Sequence, residues 1–357
     1  MNVVRALKLG SEYVATQPQY KPLVSVIVPA FNEAAIIEKN LARLCEYLES
    51  LAGEYRWELI VVNDGSADAT GELAEAFAGA HKNVQVLHHQ VNLNLGQALR
   101  TGFRHCRGDF VVTMDIDLSY APDHIGRMLE KLRESGAHLV LASPYMAGGQ
   151  CSNVPWEREI LSRQANRYLS RMAAGNPSTL TGMVRAYEGK FLRTLKLKST
   201  GMEINTEIIY KAQVLNARMV EIPAHLHWET SKSGGVKRVS HIKILRHIGQ
   251  CLFSGFIFKP AFAFLLPALA ALILGGFSLG KILWEGMAHY QSLGAAAGFG
   301  VASIGTAFAA AFHRAPHAFW IGGMGVLLAV QFIGFSLLAR QNQHYFEELF
   351  HLGAQTQ

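Results

Sequence analysis

The chain has 357 residues, half of them hydrophobic and only 17% charged, with a formal net charge of +6. Its mean hydropathy is positive and its pI is about 9.1. That is too apolar for a wholly soluble enzyme, and because the basic residues cluster just before the first long apolar stretch, they point to anionic lipid headgroups and exclude nucleic acid as the partner.

The length suits about two domains, and the charges are unevenly spread. They are frequent as far as Lys259 and nearly vanish in three long stretches beyond it, which predicts a soluble catalytic part followed by a membrane part. Cys45, Cys106, Cys151 and Cys251 are far apart and lack metal-ligand spacing, so reduced thiols in a cytosolic compartment are expected. Residues 1–20 hold no apolar run of signal-peptide length, so the catalytic part is expected to stay unexported.

In chain order, residues 1–22 read as an irregular lead-in ending at Pro22. Leu23 to Pro29 is a short β-branched run, hence a first strand. Ala30-Phe31-Asn32-Glu33 then leads into a helix predicted from Ala34 to about Leu51, with Ile36, Ile37, Leu41, Leu44 and Leu48 at helical spacing. Asn32 and Glu33 fall at a strand's carboxyl end, where they can serve a ligand or cap the helix. Trp57 to Val62 is the second strand and runs into Asn63-Asp64-Gly65-Ser66. Small residues there allow close approach of a base or ribose, and Asp64 can accept its hydrogen bonds; Asp68 reads as a helix cap. Val84 to Leu87 is a third strand, and Asn92 to Gly102 a loop entering a helix whose amides could face a phosphate.

Val111 to Leu118 carries the most chemistry. An apolar run delivers Asp115 and Asp117 to its carboxyl end. Alternate strand residues point the same way, so the two carboxylates can share a divalent cation. Interior parallel strands present chemistry only at that end. Hard oxygen ligands suit Mg2+ or Mn2+, typically completed by substrate phosphates, which makes a nucleotide diphosphate the natural partner. The alternative is a turn whose aspartates cap the next helix. That helix has Ile125, Met128, Leu129 and Leu132 on one face, and Leu139 to Ala142 forms a further strand. The alternation predicts an α/β domain with a mostly parallel sheet. The histidine pairs His88/His89 and His225/His227 have no placed acidic or cysteine partner and read as packing or surface residues.

Beyond Ser240, basic and apolar residues interleave through Lys243, Arg246 and His247, a pattern suited to a helix lying in the headgroup plane at 240–259. Ala261 to Gly280 is uncharged and long enough to cross about 30 Å of hydrocarbon. Ala315 to Ala339 is a second such stretch, bounded by Arg314 and Arg340. Two spans, about 261–281 and 317–339, are expected within a membrane domain at 260–340, leaving Gln291 to Phe312 as a weakly hydrophobic piece between them. The basic residues before the first span place that side, and the tail at 341–357, in the cytoplasm.

Three ordered motifs at strand ends, Val28-Pro29-Ala30-Phe31-Asn32-Glu33, Val62-Asn63-Asp64-Gly65-Ser66 and Met114-Asp115-Ile116-Asp117-Leu118, resemble the sugar-nucleotide domain of glycosyltransferase family 2. Thr181 to Tyr187, followed by Gly201 to Asn205, resembles its polyprenyl-phosphate branch, which includes dolichyl-phosphate mannose synthases. The resemblance covers about 23–240 and implies a GT-A fold over 23–239. It also implies Mg2+ or Mn2+ at Asp115 and Asp117, and inverting transfer of one hexose from a nucleotide sugar to a polyprenyl phosphate. By position it implies donor contacts at Pro29, Asn32, Glu33, Asp64, Asp115 and Asp117, catalytic roles for Asp117, Arg185 and Glu203, and an acceptor-phosphate site at Arg158 and Ser162. The family often has an arginine before its paired glycines and another after its Val-Pro strand. Here Ser143-Pro144-Tyr145 and Ile222-Pro223-Ala224-His225-Leu226-His227 carry neither, and Lys232, Lys237 and Arg238 in the following loop are expected to replace the second.

GDP-mannose is the first expectation for the donor and a UDP-sugar the second, with the membrane as a further partner and homo-oligomers a family habit. The rival enzyme is a membrane polysaccharide synthase, whose usual Gln-x-x-Arg-Trp motif is missing. A non-catalytic assembly subunit derived from a transferase is the other alternative, and the intact aspartate pair argues against it.

Overall fold

The structure is a computed structural model that describes residues 20–228, 255–256, 258–297 and 301–355. The expected lead-in (1–22) and headgroup-plane segment (240–259) lie almost wholly outside the described residues, as do Lys232, Lys237, Arg238 and Cys251. The chain divides into two compact units.

The described part of the first unit comprises 20–159, 178–212 and 216–228. It runs β1 (Leu23–Ala30), α1 (Ile37–Ser50), β2 (Arg56–Asn63), α2 (Thr70–Ala80), β3 (Val84–His88), α3 (Leu95–His105), β4 (Phe110–Thr113), α4 (Asp123–Ser135), β5 (Leu139–Ser143) and β6 (Gln150–Ser152). After α5 (Trp156–Met172), which passes into the second unit at 160, come β7 (Arg185–Glu188), α6 (Gly189–Thr194), α7 (Ile204–Val214), β8 (Met219–Pro223) and β9 (His225–His227). Seven strands form one sheet in the order β3-β2-β1-β4-β7-β5-β8, and β6 and β9 form a second, two-stranded sheet. All neighbours in the large sheet pair in parallel except across β7, which is antiparallel to both β4 and β5. The antiparallel insertion is absent from the sequence reading, because Arg185-Ala186-Tyr187-Glu188 is short and begins and ends on charge.

The core follows the predicted periodicities. β1 and β2 bury Val24, Val26, Val28, Leu59 and Val61, on which α1 lays Ile37, Leu41, Leu44 and Leu48 and α4 lays Ile125, Met128, Leu129 and Leu132. α4 stops at Gly136, whose φ of +60° provides the left-handed cap glycine accepts without strain. α1 starts at Ile37, three residues later than predicted, because residues 32–36 form a loop bonded to the turn before α2. Chain order places β2 and β4 on opposite sides of β1, so the carboxyl ends of these strands open at a topological switch point, where open α/β sheets bind ligands.

The second unit holds 160–177, 213–215 and the chain from 234 onward. Its described helices include α8 (Ala261–Ala297), α9 (Val301–Arg314) and α10 (Pro316–Gln355). α8 and α10 are each long and apolar enough to cross a membrane, over Ala261–Ser292 and Pro316–Gly353. At about 1.5 Å per residue both outrun a hydrocarbon core of about 30 Å. The expected spans are thus segments of longer helices, and the described residues of 291–312 fall in the end of α8 and in α9, whose 14 residues are too short to form a third span. The tail does not break at Arg340, since α10 continues to Gln355. α8 and α10 run antiparallel, with Ser336 Oγ donating to Ala261 O at 3.1 Å and a Cβ built on Gly325 lying 2.9 Å from Gly275 Cα.

Candidate functional site

Main-chain pairing sets the site's frame. Ala30 at the end of β1 stands opposite Asn63 of β2, Ile27 stands opposite Thr113 of β4, and Pro29 lies in β1 one residue before that end. Asp64 follows β2 directly and donates its own N–H to Ala30 O, while Met114 N–H extends β4 onto Ile27 O. The loops carrying Asn32 and Glu33, Asp64, and Asp115 and Asp117 therefore leave one edge of three neighbouring strands.

Asn32 takes a left-handed φ of +56°, and its Oδ1 accepts the N–H of Ala67 at 2.8 Å. Glu33 N–H donates to Thr70 Oγ1 and Ala34 N–H to Asp68 Oδ2. Asp68 also accepts Thr70 N–H in the first turn of α2, so the capping expected of it is joined to a second task, holding the 32–34 loop. Burial, with the charges of Asp117 and Asp68 after it, raises the Glu33 carboxyl above its ordinary value.

Asp64 is almost fully buried. Its Oδ1 accepts from Leu93 N–H at 3.0 Å and lies 2.7 Å from His89 Nδ1. Gly65 is required beside it, because its φ is +67° and a Cβ there would lie 2.2 Å from the Val91 carbonyl carbon. By sequence alone His89 reads as a packing or surface residue, but it bonds Asp64. Its position just after a strand end, as with Asp64, was the available signal. His88 is a surface residue, hydrogen-bonded to Asn63 and Glu75.

The Asp115 to Asp117 loop is held by its main chain. Asn40 Nδ2 donates to Ile116 O, Ser119 N–H to Asp117 Oδ1, and β9 fastens on through His227 N–H to Ser119 O. Leu118 completes the turn with φ +50°, a conformation that branched or bulky residues rarely adopt. Asp117 is exposed and Asp115 keeps part of its surface. Desolvation, with the Asp117 charge second, pushes Asp115 up to about 7. Two carboxylates crowded together, with no cation paired to either among the described residues, suit a divalent ion. Among the described residues no third His, Cys, Asp or Glu joins them, so the donor set fits Mg2+ or Mn2+ completed by phosphate oxygens and water.

The remaining expected residues lie in three places. Arg158 is exposed on α5 with its guanidinium carbon 4.9 Å from the centre of the Trp228 ring, a cation–π contact. Ser162 lies one turn further along the same helix, its carbonyl accepting Asn166 Nδ2. Glu203 is exposed at the start of α7 and accepts Gly201 N–H. Arg185, expected at the catalytic face, is instead fully buried and donates to Asn205 O and Leu180 O, both at 2.8 Å. It clamps the loop after 179 to α7, and burial lowers its proton affinity. The first turn of α3 is not open to a phosphate either: Gly96 abuts the main chain of 199–201 and Gln97 N–H goes to Thr200 O.

The family model described as Glycosyl transferase family 2 matches residues 25–195. The chain is similar to an undecaprenyl-phosphate mannosyltransferase of Micrococcus luteus, at 31% identity over 62% of this chain and 93% of that one. It is also similar to a polyprenol monophosphomannose synthase of Mycolicibacterium smegmatis, at 31% identity over 65% and 85%. A mannosyltransferase of Pyrobaculum calidifontis, solved with GDP-Man and Mn2+, superposes at a TM-score of 0.47 and 20% identity over 99% of this chain and 92% of its own.

Proposed function

Because the chain belongs to glycosyl transferase family 2, we propose that it moves one hexose, with inversion, from a nucleotide sugar to a polyprenyl phosphate at the cytoplasmic membrane face. GDP-mannose is the favoured donor and a UDP-sugar the second. The observation that carries this is the gathering of Asp64, Asp115 and Asp117 at the carboxyl ends of strands flanking β1, in a chain whose α8 and α10 are candidate membrane spans. The names of the two mannosyltransferase relatives support the sugar and the acceptor.

In this reading Asp64 binds the base or ribose, Pro29, Asn32 and Glu33 line the donor side, and Asp115 and Asp117 hold the cation against the diphosphate. When bound, Mg2+ or Mn2+ supplies Lewis-acid stabilisation of charge on the departing diphosphate, worth several kcal/mol in general. The nucleophile, a lipid phosphate oxygen, is already anionic at neutral pH, so no strong base is needed and positioning dominates. Bringing two anionic substrates together requires fixed cations. Arg158 is suited to that task, since a planar guanidinium can grip two phosphate oxygens, and its stacking on Trp228 fixes the side chain in advance. Ser162, Lys232 and Arg238 are assigned to the acceptor side and Glu203 to the sugar. Arg185 acts at a distance, by holding the loop that precedes β7.

The test is transfer of radiolabelled sugar from a panel of nucleotide sugars into a butanol-extractable lipid, with Mn2+ and a short polyprenyl phosphate. Label from one donor that disappears with Asp117→Asn establishes the reaction and its sugar. A donor that is hydrolysed while the lipid stays unlabelled would overturn the acceptor.

A further inference from the structure

A chain of hydrogen bonds ends on Asp64 and starts on the next turn of α3. Arg104 Nη2 lies 3.2 Å from Thr101 Oγ1, Thr101 Oγ1 lies 2.9 Å from His89 Nε2, and His89 Nδ1 lies 2.7 Å from Asp64 Oδ1. The carboxylate end assigns one of the protons between them. An ionised carboxylate only accepts, so His89 carries hydrogen on Nδ1. In a neutral imidazole Nε2 is then bare and takes the Thr101 hydroxyl hydrogen, which leaves a lone pair on that oxygen for Arg104, whose guanidinium only donates. With a neutral His89 every group in the chain is satisfied, and the side chains of His89 and Asp64 are 8% and 5% exposed.

The consequence falls on Asp64's two oxygens. Oδ1 is saturated, with His89 Nδ1 and Leu93 N–H both donating to it. Oδ2 makes no hydrogen bond among the described residues. We propose that His89 is a positioning residue of the donor site: by pinning Oδ1 it stops the carboxylate rotating and presents Oδ2 alone to an N–H of the nucleobase or a hydroxyl of its ribose. This rests on the reading of Asp64 as the group that binds that part of the nucleotide. A carboxylate already fixed in its binding orientation has no rotational freedom left to lose when the nucleotide arrives, which strengthens binding without a new contact. The effect belongs to donor binding, because nothing in the chain reaches Asp115 or Asp117.

The experiment compares wild type, His89→Leu, His89→Asn and Asp64→Asn in the full-length, detergent-solubilised protein. It measures GDP and UDP binding by calorimetry, and the donor KM and kcat of lipid labelling. Leu cannot donate, whereas the Asn amide can place an N–H where Nδ1–H stood. His89→Leu is expected to raise nucleotide Kd and donor KM about tenfold, the usual scale for losing a hydrogen bond to a charged group, with kcat within about twofold. His89→Asn is expected to recover most of the loss. If His89→Leu binds nucleotide like wild type while Asp64→Asn is impaired, the positioning role is overturned and the donor reading stands. If Asp64→Asn also binds like wild type, both fall. Should His89→Leu fail to fold, Thr101→Val against Thr101→Ser tests the same chain: the valine variant is expected to raise KM and the serine variant to restore it, and equal values in both overturn the proposal.

Discussion

Asp64 and Asp115 follow the two strands that flank β1, at the same carboxyl edge of the sheet, yet they are opposites. Asp64 is saturated on one oxygen by a histidine and a main-chain N–H. Asp115 faces a second carboxylate, and its affinity for a proton is raised to about 7 by desolvation first and Asp117 second. A carboxylate tied to donors can hold a neutral, hydrogen-bonding ligand. One crowded by another carboxylate is destabilised until a cation arrives. Glu207 shows that the tied condition also occurs away from the site: Lys211 and the N–H groups of Lys198 and Ser199 all donate to it.

The sharpest way to break this contrast is to neutralise the crowded pair. Asp117→Asn is expected to lower lipid labelling by roughly a hundredfold or more, since a ligand to the cation is lost, while the melting temperature holds or rises. A clear fall in melting temperature would mean that the charge was stabilised after all. Next in size is chelation. With EDTA, binding of the nucleotide diphosphate should weaken by at least about tenfold, the scale of one lost charge-assisted contact, while binding of the bare nucleoside should not change. Equal sensitivity would show that the two ends of the site are not separate.

Glu207→Gln tests the tied class through stability. Desolvation raises the Glu207 carboxyl, but the hydrogen bonds from Lys211, Ser199 and Lys198 outweigh it and leave it below the ordinary value. A folded-state value held low means that the stabilisation is present above the unfolded value, about 4.3, and is lost as pH falls through the folded one. The variant is therefore expected to be less stable by about 1–3 kcal/mol at pH 7, and the gap should close in denaturant titrations below about pH 4. A gap that does not change with pH would refute the assignment. The smallest effect expected is for Trp228→Ala, which removes the ring beneath Arg158 and should raise the acceptor KM a few-fold, about what 0.5–1 kcal/mol of cation–π contact is worth, without moving the donor KM.

The strand ends were legible because chemistry and pattern coincide there. Apolar β-branched runs stop at Asn32-Glu33, Asp64-Gly65 and Asp115-Ile116-Asp117, so strand and site could be read together. The core faces of α1 and α4 were equally plain from spacing. Three features were not legible, each for its own reason. β7 enters the sheet antiparallel because β4 and β5 flank it, a tertiary fact that four residues cannot encode. Arg185 reads as a surface cation in any local window, and only the fold shows it buried against carbonyls of 180 and 205. His89 and Asp64 are 25 residues apart and meet only because β2 and β3 pair side by side.

The contact between α8 and α10 has a consequence for the bilayer itself. Where Gly275 and Gly325 touch, backbone meets backbone, and the Cβ of any larger residue at Gly325 would collide with Gly275 Cα. Such a crossing fixes the sliding register of the two helices, since moving either by one turn would put a side chain where only hydrogen fits. The uncharged run from Lys259 to Lys281 on one helix therefore stays level with the run ending at Arg340 on the other, a belt about 33 Å tall at 1.5 Å per residue. As membrane spans the pair would behave as a caliper of preset gap: in a thinner bilayer both helices would have to tilt as one body or thicken the lipid around them, because neither can shorten its greasy length by slipping past its mate.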